Sequence, residues 1–121
     1  MTKIQNSKQY DLEDRTLKFA KKVRSFVKKL NKTLANIEDS KQLLKASGSV
    51  GANYIEANEA LSKRDFLMRI KICRKEAKES RYWLRLVDTG DNSELEQERQ
   101  ALENEARELT HIFGSIVTKS K

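Results

Sequence analysis

Apolar residues recur at steps of three and four along most of this chain, and that spacing constrains its fold more than any other feature. The clearest series comprises Phe66, Ile70, Cys73, Ala77, Ser80, Leu84 and Val87. Alternating steps of four and three place such residues on one side of an α-helix, in the pattern of left-handed helix bundles. The 121 residues include no proline and only four glycines, too few turn residues for an all-β fold. We therefore expect an all-α protein.

Four segments show this helical spacing, and each begins beside a residue that can cap a helix. The expected caps are Asp11, Asn36, Ser62 and Ser93, and Gly90 suits the C′ position after the third helix. The expected helices span residues 11–30, 36–61, 62–89 and 93–119. Residues 1–10 are polar and expected to be flexible, and residues 11–121 form one domain. Short connections make neighbouring helices antiparallel, which predicts an up-down-up-down four-helix bundle with helices one and three diagonal.

The second helix contains a stretch of small residues, Ser47–Ala52, whose two glycines each cost about 1 kcal/mol relative to alanine. Its flanks are strongly helical, which favours a continuous helix that a neighbour can approach closely. A break at Gly48 is the alternative interpretation.

Positive charge is concentrated in helices one and three. Residues 1–35 carry a net charge of +7 and residues 62–90 carry +5, whereas residues 36–61 and 91–121 carry −2 and −3. The candidate phosphate contacts are Lys18, Lys21, Lys22, Lys28, Lys29, Lys71, Arg74, Lys75, Lys78, Arg81 and Arg85. One interpretation is a pair of solvated faces, and the other is a surface that binds nucleic acid backbone. Because diagonal helices point their outer faces apart, such binding would require an assembly of several bundles.

Nothing in the sequence indicates catalysis, a metal site or a cofactor. His111 is the only histidine, and Cys73 falls on a core position, so neither suggests a metal ligand set. Asn53 and Glu56 lie near the expected helix interface and are interpreted as a structural polar network. Trp83, beside Tyr82, suggests an aromatic anchor, with an exposed binding patch as the alternative. The single cysteine and the absence of an apolar segment of about 20 residues favour a cytoplasmic protein without a membrane span.

Two blocks of the sequence resemble a known family. Residues 47–57, SGSVGANYIEA, resemble the signature S-x-S-[IV]-x-x-N-I-x-E-[GA] of the four-helix-bundle proteins encoded in bacterial 23S rRNA intervening sequences. Residues 66–84 resemble that family's third helix, and Tyr10–Thr16 resembles its usual start. Members often have proline after helix one, where this chain has Asn31.

The resemblance implies a ring-like homopentamer of four-helix bundles. A related branch, the accessory variability determinant of diversity-generating retroelements, binds nucleic acid and a reverse transcriptase. We therefore expect a non-catalytic, oligomeric protein that binds RNA or DNA, with a reverse transcriptase or a ribosomal component as a further partner. The alternative is a protein–protein scaffold whose charge serves solubility and subunit pairing.

Overall fold

A computed structural model describes residues 3–120 of the chain, with side chains described from residue 12 onward. Within these residues the backbone forms four α-helices: α1 (Lys3–Lys29), α2 (Leu34–Asn58), α3 (Lys63–Leu86) and α4 (Ser93–Lys119). Each helix packs against the next, and α4 packs against α1, whereas α1 and α3 do not contact each other. This arrangement confirms the predicted all-α four-helix bundle with helices one and three diagonal. None of these helices, as far as they are described, is apolar enough over its length to cross a bilayer.

The core follows the axis of the bundle and is built from the predicted apolar stripes of all four helices. Phe19 and Phe26 of α1, Leu43 of α2, Ile70 of α3 and Phe113 of α4 are fully buried. Burying a side chain of this size contributes about 1.5–3 kcal/mol to folding, so these residues supply much of the stability of the bundle. The thin continuous core holds the surfaces of neighbouring helices in a fixed register.

The small residues of α2 lie within an uninterrupted helix, which confirms the continuous interpretation. Gly51 faces α1, where a Cβ added to it would come within 2.9 Å of Thr16 Oγ1. Thr16 is buried, and its hydroxyl donates to the carbonyls of Leu12 and Glu13. Glycine at this position therefore lets α1 and α2 approach more closely than any side chain would permit.

Three of the four predicted N-caps are wrong. Asp11 lies inside α1, and at the starts of α2 and α4 the side chain of an earlier residue accepts the unpaired backbone N–H instead. Thr33 caps α2 by accepting from the N–H of Asn36, and Asn92 caps α4 by accepting from the N–H of Leu95. Ser62 caps α3 as predicted, accepting from the N–H of Asp65.

Several helix boundaries also differ from expectation, and α2 begins at Leu34 instead of Asn36. α1 begins at Lys3 rather than Asp11, since no glycine or proline interrupts the intervening residues. α2 and α3 end three residues earlier than expected, at Asn58 and Leu86. The flexibility expected of residues 1–10 stays a prediction, and residues 1–2 lie outside the described residues. Gly90 has a φ of 66°, but it lies within the α3–α4 connection instead of directly following the helix.

Asn36, expected to be a cap, is instead a buried clamp between two connections. Its side-chain amide donates to the carbonyls of Asn31 and Asp88, each at 2.9 Å, and its Oδ1 accepts from the N–H of Asp88 at 2.9 Å. The residue is only 2% exposed. This buried side chain therefore forms three hydrogen bonds with backbone groups of the two connections and fixes the α1–α2 connection against the α3–α4 connection.

Candidate nucleic-acid interface

The side of α4 that faces α1 is acidic, whereas the groove that α4 forms with α3 is lined by basic residues. Toward α1, its carboxylates pair with the cations of that helix: Glu105 and Glu108 accept from Arg15, at 2.7 and 3.0 Å, and Glu98 accepts from Lys29 at 2.9 Å. The hydrogen bond to Glu105 raises the pKa of Arg15 above its ordinary value. This side of α4 therefore neutralises part of the positive charge of α1.

Toward α3, α4 forms one wall of a basic groove with a volume of about 630 Å³. We use the name α3–α4 groove for this surface and its lining residues. These are Arg74, Lys78, Arg81, Tyr82, Arg85, Arg107, Thr110, His111, Gly114, Ser115 and Thr118. Five of them are arginine or lysine, and none is a carboxylate.

Helical periodicity explains how the two helices supply these residues. The cations of α3 follow one another at steps of four, three and four, so they form a line beside its buried stripe. On α4, Arg107, His111 and Thr118 form a corresponding line. Contacts between the helices fix the register: the side chain of Arg74 crosses the helix at Gly114, where an added Cβ would lie 3.5 Å from its Nε. Arg85 lies near Glu103, at the other end of the groove.

The cations of the groove are unequally compensated. Arg81 and Arg85 share one carboxylate, Glu103, at 3.4 and 3.6 Å, and Glu103 also pairs with Arg99 at 3.4 Å. Among the described residues, no carboxylate oxygen lies within 4.0 Å of the charged nitrogens of Arg74, Lys78 and Arg107. The buried Nε of Arg81 is the atom that contacts Glu103 at 3.4 Å, as an ion pair without hydrogen-bond geometry. The groove thus holds donors and positive charge that an anion would satisfy.

One aromatic ring is exposed within this charged surface. Tyr82 is 56% exposed and lines the groove, and its ring meets that of Trp83 edge-on, with centroids 5.0 Å apart and planes at 79°. Trp83 in turn packs against the hydrophobic core. Trp83 is thus an anchor within the bundle, and Tyr82 is the exposed member of the pair.

The structure brings together four of the eleven basic residues singled out in the sequence: Arg74, Lys78, Arg81 and Arg85. The other candidates on α3, Lys71 and Lys75, are exposed beyond the lining of the groove. All five lysine candidates on α1 are exposed and lie on the diagonally opposite helix, namely Lys18, Lys21, Lys22, Lys28 and Lys29. The basic residues therefore form two separate surfaces on one bundle.

The predicted polar network is present only in part. Asn53 Oδ1 accepts from Arg69 of α3 at 3.0 Å, and its Nδ2 donates to the carbonyl of Ser49. Glu56, expected beside it, is exposed on the outer side of α2. Water solvates an exposed carboxylate, which therefore needs no protein partner. Of the two predicted residues, only Asn53 joins two helices.

Sequence reasoning missed the α4 wall of the groove. Arg107 lies in a segment with net negative charge, and His111, the only histidine, suggests no ligand set by itself. The four-residue spacing of Arg107 and His111, with Thr118 two turns further on, places all three on one side of α4. That this side faces the cations of α3 follows only from the register of the two helices. In the described part of the chain, no cluster of His, Cys, Asp or Glu could hold a metal ion.

Comparisons with known proteins identify a family and solved structures of similar fold. A family model described as "23S rRNA-intervening sequence protein" matches residues 8–115. A crystal structure from Bacteroides thetaiotaomicron VPI-5482, described as a protein of unknown function from the S23 ribosomal protein family, is 31% identical in sequence. The match covers 88% of this chain and 97% of that chain, with a TM-score of 0.71. No curated protein matches.

Proposed function

Because the chain belongs to the 23S rRNA-intervening sequence protein family, we propose that it is a non-catalytic protein that binds the RNA backbone through the α3–α4 groove. The observation that carries this proposal is the concentration of five arginine and lysine side chains in one concave surface without a lining carboxylate. Guanidinium groups match phosphate oxygens with two parallel hydrogen bonds, and lysine adds a mobile point charge. Contacts of this kind position a nucleic acid without selecting its sequence.

The charge of the groove sets an expected salt dependence. If three to five of its cations each neutralise a phosphate of a single strand, the logarithm of the affinity falls with a slope of about −2 to −3.5 against the logarithm of salt concentration. Raising the salt from about 50 to about 200 mM then weakens binding roughly 20- to 130-fold.

The basic surface of α1 can contribute to RNA binding only if several bundles assemble. It lies on the helix diagonal to α3, so a single bundle cannot place both surfaces on one short RNA segment. A homo-oligomer, for which the pentamer is the expected form, would alternate grooves and α1 surfaces around a longer nucleic acid. A reverse transcriptase or a ribosomal component is the protein partner we propose for such an assembly, in the cytoplasm.

The decisive experiment compares two triple variants that lose the same charge. Arg74, Lys78 and Arg107 are changed to glutamine in the groove variant; Lys21, Lys22 and Lys28 are changed to glutamine in the control. The probe is a mixed-sequence RNA only long enough to fill one groove, so that it cannot also contact an α1 surface. Fluorescence anisotropy with this RNA at about 50 mM salt should show at least about tenfold weaker binding for the groove variant. We expect a loss of about threefold or less for the control. Equal losses would show that net charge, rather than the groove, governs binding.

A protein–protein scaffold is the second candidate, and the exposed apolar side chains favour it. Leu61 is 98% exposed, and Leu17, Ile55 and Met68 are each 52% exposed. Light scattering coupled to size exclusion, with and without RNA, separates the two candidates. An oligomer whose mass RNA leaves unchanged supports the scaffold, and a monomer that ignores RNA contradicts both candidates.

A further inference from the structure

We infer that the α3–α4 groove holds a short single-stranded RNA segment, with one base stacked on Tyr82 and its phosphates along the cations of α3. This inference rests on the proposed function and specifies which form of RNA the groove accepts. It depends on an aromatic ring that backbone binding alone does not need.

Tyr82 lies within the line of positive charge on α3. It follows Arg81 directly and lies one turn from Lys78 and just under one turn from Arg85. A strand whose phosphates contact these cations would bring a base over the ring. The edge-on contact with Trp83 restrains the ring, so less side-chain freedom is lost when a base stacks on it. Positive grooves interleaved with exposed aromatic rings are the common design of single-strand binding surfaces.

The groove has the dimensions of a single nucleic-acid strand. From Arg74 to Arg85 the cations extend over about 16 Å of helix, which matches about five nucleotides at a stacked spacing of about 3.4 Å. Packed helix axes lie about 8–10 Å apart, so the groove between them suits one strand. A duplex would keep its bases paired and stacked inside, where Tyr82 cannot reach a base face. The groove therefore selects unpaired RNA.

The α4 wall of the groove supplies three hydroxyl side chains: Thr110, Ser115 and Thr118. The hydroxyls of Thr110 and Thr118 donate to the carbonyls of Ala106 and Gly114, at 2.8 and 3.1 Å. Their donor capacity is therefore used within α4, and their oxygen lone pairs stay available to accept. A ribose 2′-hydroxyl is a donor that DNA lacks, so this wall favours RNA over DNA.

The test uses the full chain, with Tyr82→Leu as the perturbation and Tyr82→Phe as the matched control. Because this side chain is exposed, both variants should fold, and far-UV circular dichroism verifies that they do. Anisotropy is measured with a ten-nucleotide mixed-sequence RNA, with the same RNA paired to its complement, and with DNA of the same sequence. A second RNA carrying 2-aminopurine reports stacking through quenching of its fluorescence.

We expect Tyr82→Leu to weaken single-strand binding about tenfold and to abolish the quenching, whereas Tyr82→Phe stays within about twofold of the original protein. The paired RNA and the DNA strand should each bind about three- to tenfold more weakly than the single-stranded RNA. The inference is overturned if Tyr82→Leu binds like the original protein, or if the duplex binds as tightly as the single strand. If the groove triple variant still loses affinity in that case, the proposed function of backbone binding stands while this inference fails. If no RNA binds at about 50 mM salt, the proposed function fails as well.

Discussion

Replacing the two glycines of α2 with alanine should change stability in opposite directions. Alanine has a higher helix propensity than glycine by about 1 kcal/mol, and both positions lie inside a continuous helix, so both substitutions receive the same local gain. Their surroundings differ. A Cβ at Gly48 would lie 3.3 Å from Nη2 of Arg24, the end of a flexible, exposed side chain. A Cβ at Gly51 would lie 2.9 Å from Oγ1 and 3.3 Å from Cβ of Thr16.

The magnitude follows from whether the neighbour can move. Arg24 can swing away at little cost, so Gly48→Ala should stabilise the protein by about 0.5–1 kcal/mol. Thr16 is buried, is β-branched, and is held by two hydrogen bonds to its own helix. Overpacking against such a neighbour costs about 1–3 kcal/mol. Gly51→Ala should therefore be about 1–3 kcal/mol less stable than Gly48→Ala, because the propensity gain cancels between the two variants.

Urea denaturation followed by circular dichroism, at one fixed protein concentration, measures both variants against the original protein. The denaturant slope should stay constant while the midpoints separate. Adding Thr16→Ala to Gly51→Ala should recover at least about 1 kcal/mol beyond additivity, since it removes the obstructing oxygen. Equal stabilisation by both glycine substitutions would refute the close approach of α1 and α2.

Three further predictions concern single side chains. Asn36→Ala should destabilise the bundle by about 2–3 kcal/mol in the same denaturation assay, because it removes three hydrogen bonds that join the two connections, whereas the cap variant Thr33→Ala should cost only about 1 kcal/mol. Hydrogen bonds from Arg99 and from the α3–α4 connection lower the pKa of Glu96 from 4.5 to about 2. The pKa is lower in the folded state than in the unfolded state, so this stabilisation is present above about pH 4.5 and is lost as the pH falls toward 2. Glu96→Gln should therefore flatten this part of the stability–pH curve. An unchanged curve would contradict the assignment. Burial raises the pKa of the Cys73 thiol to about 12, so alkylation at pH 8 should proceed only as fast as the bundle opens, and rapid labelling of the native protein would show that this core position is accessible.

The architecture could be predicted because it depends on a one-dimensional pattern. The stripes that include Phe19, Leu43, Ile70 and Phe113 specify which side of each helix is buried, whatever its neighbours are. Caps were less predictable, since Thr33 and Asn36, or Asn92 and Ser93, are all chemically able to accept the same backbone hydrogen bond. The structure decides between them through a distant partner: Asn36 is required to clamp Asp88, so Thr33 caps the helix.

The candidate site shows the same division. The four amphipathic helices and the line of cations on α3 can be predicted from the sequence, because both follow from spacing along one helix. That Arg107, His111 and Tyr82 join four of these cations in one groove, and that the lysines of α1 lie elsewhere, depends on how the helices pack together. The physical reason is register: the position of α4 along α3 depends on how side chains from both helices interlock, as where Arg74 crosses at Gly114. A groove between two helices is a property of their contact, and neither helix encodes it alone.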